Sequence, residues 1–285
     1  MAMNMEQKRK SGLPKVIAVT SGKGGAGKTN FVINTGIALS QQGLRTYIID
    51  ADLGTANVDV LLKINSKYTI QNLVDKTKDS VMDIVADGPE GLKIIPGGSG
   101  LQSLTDLPED ELMRVIDLFE PLEEHADVIL IDTGAGISRN VVNFLMASDE
   151  IIVIVTPEPH SMMDAYSMIK VLSEKKVTQP VKLVFNMVDN LEDGKAVAKR
   201  MLQVIGRFLE ITPQPLWYIV KDDSVSRGLR QFKPLLLYKP SSQAAKCFIT
   251  VAEKLNPLKN ADTRQLMEQE APKGLASKLR RFFSK

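Results

Sequence analysis

Short apolar runs rich in β-branched residues alternate along this chain with longer stretches that carry apolar side chains at helical spacing. The runs fall at 16–20, 46–50, 92–95, 128–132, 151–155, 181–185 and 216–220. Several are apolar at consecutive positions, the pattern of central strands covered on both faces. A buried helical segment reads the same way, but the flanking turn residues favour strand. The alternation predicts an α/β fold, a mostly parallel twisted sheet flanked by helices on both faces. There is no internal repeat or low-complexity block, and nothing resembles an interdomain linker before residue 256. The chain then turns polar, NPLKNADTRQLMEQEAP, and closes on a compact basic and apolar segment. The expected organisation is a flexible N-terminus at 1–13, one domain at 14–255, a polar tether at 256–272 and an amphipathic helix at 273–285.

Composition narrows the classes. The 285 residues, 44% hydrophobic and 25% charged, suffice for one continuous core. The single cysteine, Cys247, excludes an internal disulfide and a cysteine-bound cluster within one chain, so an iron–sulfur carrier is disfavoured. No run approaches the roughly 18 to 20 apolar residues of a membrane span, and MAMNMEQKRKSG has no following apolar core of a signal peptide. These features favour a cytoplasmic protein. The net charge of +2 is unevenly spread: Lys273, Lys278, Arg280, Arg281 and Lys285 give the last 13 residues +5, which leaves the rest at −3. His125 and His160, the two histidines, have no neighbouring cysteine or spaced acids to make a metal site. Met162 and Met163 read as packing residues, and Lys8, Arg9 and Lys10 as a solvated basic end.

The strongest chemical signal is Gly22-Lys23-Gly24-Gly25-Ala26-Gly27-Lys28-Thr29, a G-x-x-x-x-G-K-T loop between the strand KVIAVT and a helical stretch that opens with Thr29 and Asn30. Glycines let backbone N–H groups curl around phosphate oxygens, and a helix N-terminus adds its dipole. Lys28 then reaches the β and γ phosphates, and Thr29 is placed to ligate Mg²⁺. The apolar run 128–132 ends in Asp132, an acid where a parallel sheet presents its C-terminal edge to a nucleotide-bound magnesium.

Lys23 makes the loop S-G-K-G-G-A-G-K-T, which resembles the deviant Walker A box of the MinD/ParA family, P-loop NTPases of the SIMIBI type. Asp50-Ala51-Asp52-Leu53-Gly54 with Asn57 resembles that family's switch I, and Asp132-Thr133-Gly134-Ala135-Gly136 its switch II. Asn186 and Asp222 fall where the family holds adenine. The resemblance covers about residues 14–255 and the tail. It implies an ATP-dependent homodimer in which Lys23 crosses to the partner's phosphates, Asp52 orients the attacking water, and Asp50 and Asp132 hold Mg²⁺ largely through waters. GLKIIPGGSG, IDTGAGIS and TPEPHSMMDAYSMIK are most similar to the FlhG (FleN) subfamily, regulators of flagellar number and placement. That subfamily implies an FlhF-like GTPase or flagellar basal-body proteins as partners. However, MNMEQKRKSGLPK lacks the D-Q-A-x-x-L-R type segment that engages FlhF.

In the tail, Leu275, Leu279, Phe282 and Phe283 share one helical face, with Lys278, Arg280 and Arg281 on the others. This predicts an interfacial anchor for anionic membrane, and hence reversible attachment at the inner face of the cell membrane. Partial burial of the apolar face contributes about 4 to 6 kcal/mol, so one copy binds weakly and two copies on a dimer bind by avidity. The same pattern fits a helix packed on its own domain or in a protein groove. The alternative function is a DNA-partitioning ATPase of the ParA kind; DNA is not the expected partner, because the chain outside the tail is net negative.

Overall fold

The computed structural model describes residues 12–52, 58–98, 107–259 and 274–283. The strands are β1 Lys15–Ser21, β2 Thr46–Ala51, β3 Ala86–Asp87, β4 Lys93–Ile95, β5 Val128–Thr133, β6 Glu150–Val155, β7 Val181–Val188 and β8 Gln214–Val220. Between them lie α1 Lys28–Gln41, α2 Val58–Leu62, α3 Ile70–Val74, α4 Glu109–Asp117, α5 Leu122–His125, α6 Arg139–Met146, α7 Pro159–Glu174 and α8 Leu191–Phe208. After β8 come α9 Asp223–Leu229, α10 Leu235–Tyr238, α11 Gln243–Leu255 and α12 Leu275–Phe283. The strand order is β3-β4-β2-β5-β1-β6-β7-β8, parallel throughout except for the antiparallel β3–β4 pair. All seven expected strands are present. The sequence reading missed β3, whose two residues are too short to leave a periodic signal.

The consecutive apolar runs have a simple cause. In β1, Val16 and Ala18 enter the core on one face of the sheet and Ile17 and Val19 enter the core on the other. In β5, Ile129 and Ile131 face one way and Val128 and Leu130 the other. Residues two apart share a face, so a strand covered on both sides must be apolar at every position. The edge strand β8 loses this pattern, with exposed Gln214 and Pro215. α1, α10 and α11 cover one face, and α4, α6, α7, α8 and α12 the other. Side-chain caps start several of these helices: Ser138 accepts from the N–H of Val141, Asn190 from Asp193 and Ser242 from Ala245.

The tail helix lies on the domain. In α12, Leu275, Ala276, Leu279 and Phe283 are buried, Phe282 is partly covered, and Arg281 is exposed. The Phe283 ring meets Phe144 of α6 edge-on, with centroids 5.0 Å apart. Lys278 pairs with Asp149, and Arg280 pairs with Asp117 at 2.7 Å and with Glu120. Glu123 receives backbone hydrogen bonds from Ala276 and Leu275 at the helix start; burial pushes its carboxyl up, and these bonds pull it down. The face expected to meet lipid is therefore covered here by α4 and α6. An amphipathic stripe seeks any apolar surface, and the nearest one is its own core. At the other boundary, Asn256 is buried and donates to Gln42 at 2.9 Å, so folded structure continues through Lys259 and takes in residues 256–259, the first four of the expected tether. Residues 260–273 lie outside the described residues, and no helix among the described residues is long and apolar enough to cross a membrane.

Truncating Phe283 to Ala removes about 3–5 kcal/mol from this seat. Amide exchange across residues 275–283 should accelerate at least tenfold while β1 stays protected; unchanged tail exchange would contradict the docking described here.

Candidate active site

The C-terminal ends of β1, β2 and β5 meet at one edge of the sheet, where Asp50 and Asp132 are register partners and Val19 is the partner of Asp132. From β1 the chain turns through residues 22–27 into α1. Two glycines are obligatory here. A Cβ on Gly22 would collide with the backbone of Asp164 in α7, and Gly27 combines a φ of 89° with the amide of Asn186 against its Cα. The start of α1 has no side-chain cap and no acid in its first turn. That leaves its backbone donors and its dipole for an anionic ligand.

Lys28 is the centre of charge. Its buried ammonium lies 3.0 Å from Asp132 Oδ1 and 3.5 Å from Asp52 Oδ2. Asp132 is fully buried; desolvation pushes its carboxyl above the usual range, opposed by Lys28 and by a hydrogen bond from the Thr29 side chain. Among the described residues its other oxygen, Oδ2, has no hydrogen-bond partner. Asp50 accepts from the Asp52 N–H at 3.3 Å and the Val58 N–H at 3.2 Å, so one carboxylate ties both ends of the segment 53–57. Leu53, Gly54 and Asn57 of the expected switch I fall in that segment, outside the described residues. An uncapped helix start, a threonine hydroxyl and oxygen-only acids with an unsatisfied buried carboxylate oxygen fit a magnesium nucleotide, because Mg²⁺ prefers oxygen ligands.

The remaining residues divide. The Lys23 ammonium stands 3.7 Å from Glu158, with both side chains well exposed. Sequence reasoning missed Glu158; its signal was only its place in TPEPHS, at the mouth of α7. The loop is braced by the Ser21 hydroxyl donating to the Lys23 carbonyl at 2.8 Å and by the Gly136 N–H donating to the Ser21 carbonyl at 3.0 Å, which joins the region after β5 to the phosphate loop. Asn186 donates to the Ala26 carbonyl at 2.8 Å, which sets it beside the loop. Asp222 lies at the end of the neighbouring strand, but its carboxylate accepts from the Ser224 N–H at 2.8 Å and caps α9. Burial pushes its pKa up, but bonds from Ser224, Ser242 and Ala244 more than offset this and hold it below the usual range. This geometry gives Asp222 a structural part. Asn30 is half-buried in the first turn of α1.

Comparison with known proteins agrees with this geometry. Residues 14–184 match the family described as an AAA domain. The chain is 36% identical over 242 residues to the antiactivator FleN of Pseudomonas aeruginosa, spanning 85% of this chain and 86% of FleN. It is 35% identical over 193 residues to the flagellum site-determining protein YlxH of Helicobacter pylori, spanning 68% of this chain and 65% of YlxH. Among solved structures, it resembles the septum site-determining protein MinD complexed with Mg-ADP from Pyrococcus horikoshii, with a TM-score of 0.70 and 25% identity, covering 87% of this chain and 98% of that one.

The loop geometry separates two neighbouring glycines. Gly22→Ala should lower the unfolding free energy by about 1–3 kcal/mol in urea titrations without nucleotide. Gly24→Ala meets nothing within 4 Å and should stay within about 0.5 kcal/mol of the wild type.

Proposed function

The chain belongs to the MinD/ParA family of deviant Walker A P-loop ATPases, and from that premise we propose that it is a dimer-gated switch. It hydrolyses ATP with Mg²⁺, and its nucleotide state sets whether it is a monomer or a homodimer at a membrane surface. The observation that supports this reading is the unequal tenure of the two loop lysines. Lys28 is buried between two carboxylates, whereas Lys23 stands in solvent, paired among the described residues with Glu158. An exposed pair of that kind contributes about 0–1 kcal/mol, so Lys23 leaves it at little cost for a stronger anion.

Phosphoryl transfer depends on positioning and charge neutralisation more than on covalent chemistry. In this reading the backbone N–H groups of 22–29 hold the phosphates, and Lys28 moves from its carboxylates toward the β and γ phosphate oxygens. Thr29, Asp50 and Asp132 hold the magnesium ion, which when bound supplies positive charge to those oxygens. Asp52, released from Lys28, orients the water. Lys23 of one copy reaches the phosphates of the other, so a lone monomer lacks one of the cations that hydrolysis needs. Asn186 faces the base.

The docked α12 is the resting position of the membrane anchor. Leu275, Leu279 and Phe283 are hidden, and the charges of Lys278 and Arg280 are neutralised by Asp149, Asp117 and Glu120. Undocking presents the same apolar face, and cations, to anionic lipid. Two tails on one dimer then act at high effective concentration. Likeness to FleN and YlxH supports control of flagellar number or placement as the output, with flagellar assembly proteins as the partners.

Two substitutions test the assignments. Asp52→Ala should bind ATP and dimerise but lose at least a hundredfold in turnover, since it removes positioning and leaves affinity intact; loss of ATP binding would overturn its role. Lys23→Ala should bind ATP as a monomer in light scattering, and normal dimerisation would remove Lys23 from the interface.

A further inference from the structure

The sequence reading placed the positive charge in the tail, yet residues 189–259 hold twelve lysines and arginines against seven carboxylates. Part of this excess surrounds an exposed apolar pair on the long helix α8. That helix buries Val197, Ala198, Met201 and Ile205 against the sheet. On its open side, Val204 and Phe208 lie one turn apart and are 48% and 65% exposed. Arg200 and Arg207 are exposed beside them, with the Arg207 guanidinium 5.5 Å from the centre of the Phe208 ring. The adjacent helix α7 ends at the same edge of the sheet, followed by exposed Lys175 and Lys176. The acids at this end are Glu174, paired with Lys170 at 3.9 Å, and Glu210. Among the described residues, no ion pair neutralises Arg200, Arg207, Lys175 or Lys176.

We propose that this end of α8 is a second membrane-contact surface, carried by the folded domain itself, in which Val204 and Phe208 enter an anionic lipid interface and the four cations meet its headgroups. The placement fits. α8 runs back from the nucleotide edge of the sheet, so Phe208 lies at the opposite edge, shortly before β8 begins at Gln214. The tail is pinned at that same edge, where Lys278 meets Asp149, the residue before β6. Both elements thus lie away from the loops through which two nucleotide-bound copies would meet. The size fits as well. Two side chains fall far short of the roughly 1,000 Å² that a specific protein interface buries. Shallow insertion beside anionic headgroups needs only a few apolar side chains, with each nearby cation adding its attraction. Binding to a nucleic-acid duplex would use the cations and leave the apolar pair without a role. The proposal shares its membrane partner with the function proposed above but does not depend on the tail.

The test uses the full chain, a nonhydrolysable ATP analogue, and vesicles of equal parts phosphatidylglycerol and phosphatidylethanolamine. The double substitution Val204→Ser with Phe208→Ser touches only exposed positions. It should leave solution turnover unchanged and weaken vesicle partitioning about tenfold. Phe208→Trp in a Trp217→Phe background, which leaves one indole, should shift its emission to the blue on these vesicles and not on phosphatidylcholine alone. Wild-type partitioning by the double variant, or the same emission shift produced by duplex DNA or an acidic protein in place of vesicles, would overturn the proposal. Leu279→Glu separates the two membrane readings. If it binds like wild type while the double variant does not, the tail anchor fails and the α8 surface stands. If it abolishes both binding and the emission shift reported from position 208, the domain surface fails and the tail anchor stands.

Discussion

The ammonium of Lys28, buried between Asp132 and Asp52, is the interaction on which the rest of this structure depends. Asp132 is the penultimate residue of β5, with no solvent on either side, and a carboxylate there is tolerable only beside a cation. The lysine in turn sits where the phosphate loop enters α1, so the same contact closes the end of the sheet and loads the nucleotide site. A bound triphosphate competes for this one ammonium. The residues it would release, Asp52 above all, are those proposed for hydrolysis, and Asp50 ties both ends of the segment that follows Asp52. Binding and rearrangement are coupled through charge, with no separate device required.

Two further contacts hold the chain in its resting arrangement, and they differ in strength. Lys23 and Glu158 form an exposed pair, weak by nature and screened by salt. The tail is held by three large buried side chains, Leu275, Leu279 and Phe283, at roughly 1.5–3 kcal/mol each, less the cost of ordering the helix, with ion pairs and the Glu123 contacts at its rim. In the proposed dimer the first contact would yield to a partner's phosphates. The second needs a competing apolar and anionic surface, which a membrane supplies. In the proposed switch, that ordering would put dimerisation before firm attachment.

Much of this was legible in the sequence. The seven longer strands announced themselves because strands covered on both faces have no polar position to spare. The phosphate loop was legible because a helix start that must bind phosphate needs glycine at 22 and 27 and a lysine at 28. Other features were hidden by distance. Glu158 gives no sign of its contact with Lys23, 135 residues earlier, and nothing local marks Asp117, Glu120 and Asp149 as partners of the tail. An amphipathic helix reads alike whether it faces lipid or its own core, so the docked seat of α12 required the fold. Asp222 carries a related ambiguity. An acid after a strand suits a ligand and a helix cap equally, and here its hydrogen bonds make it a cap. The net charge of −3 outside the tail averaged an acidic half and a basic half, and so concealed the cations around α8.

The most direct test of a dimer-gated ATPase is turnover per chain measured over a wide range of chain concentration, with mass by light scattering in the same samples. The account predicts specific activity that is negligible in dilute monomer, rises with concentration and saturates as the dimer fills. Specific activity that is constant across the monomer-to-dimer transition would mean that one chain holds a complete site, and the trans-acting lysine at the centre of the account would be wrong.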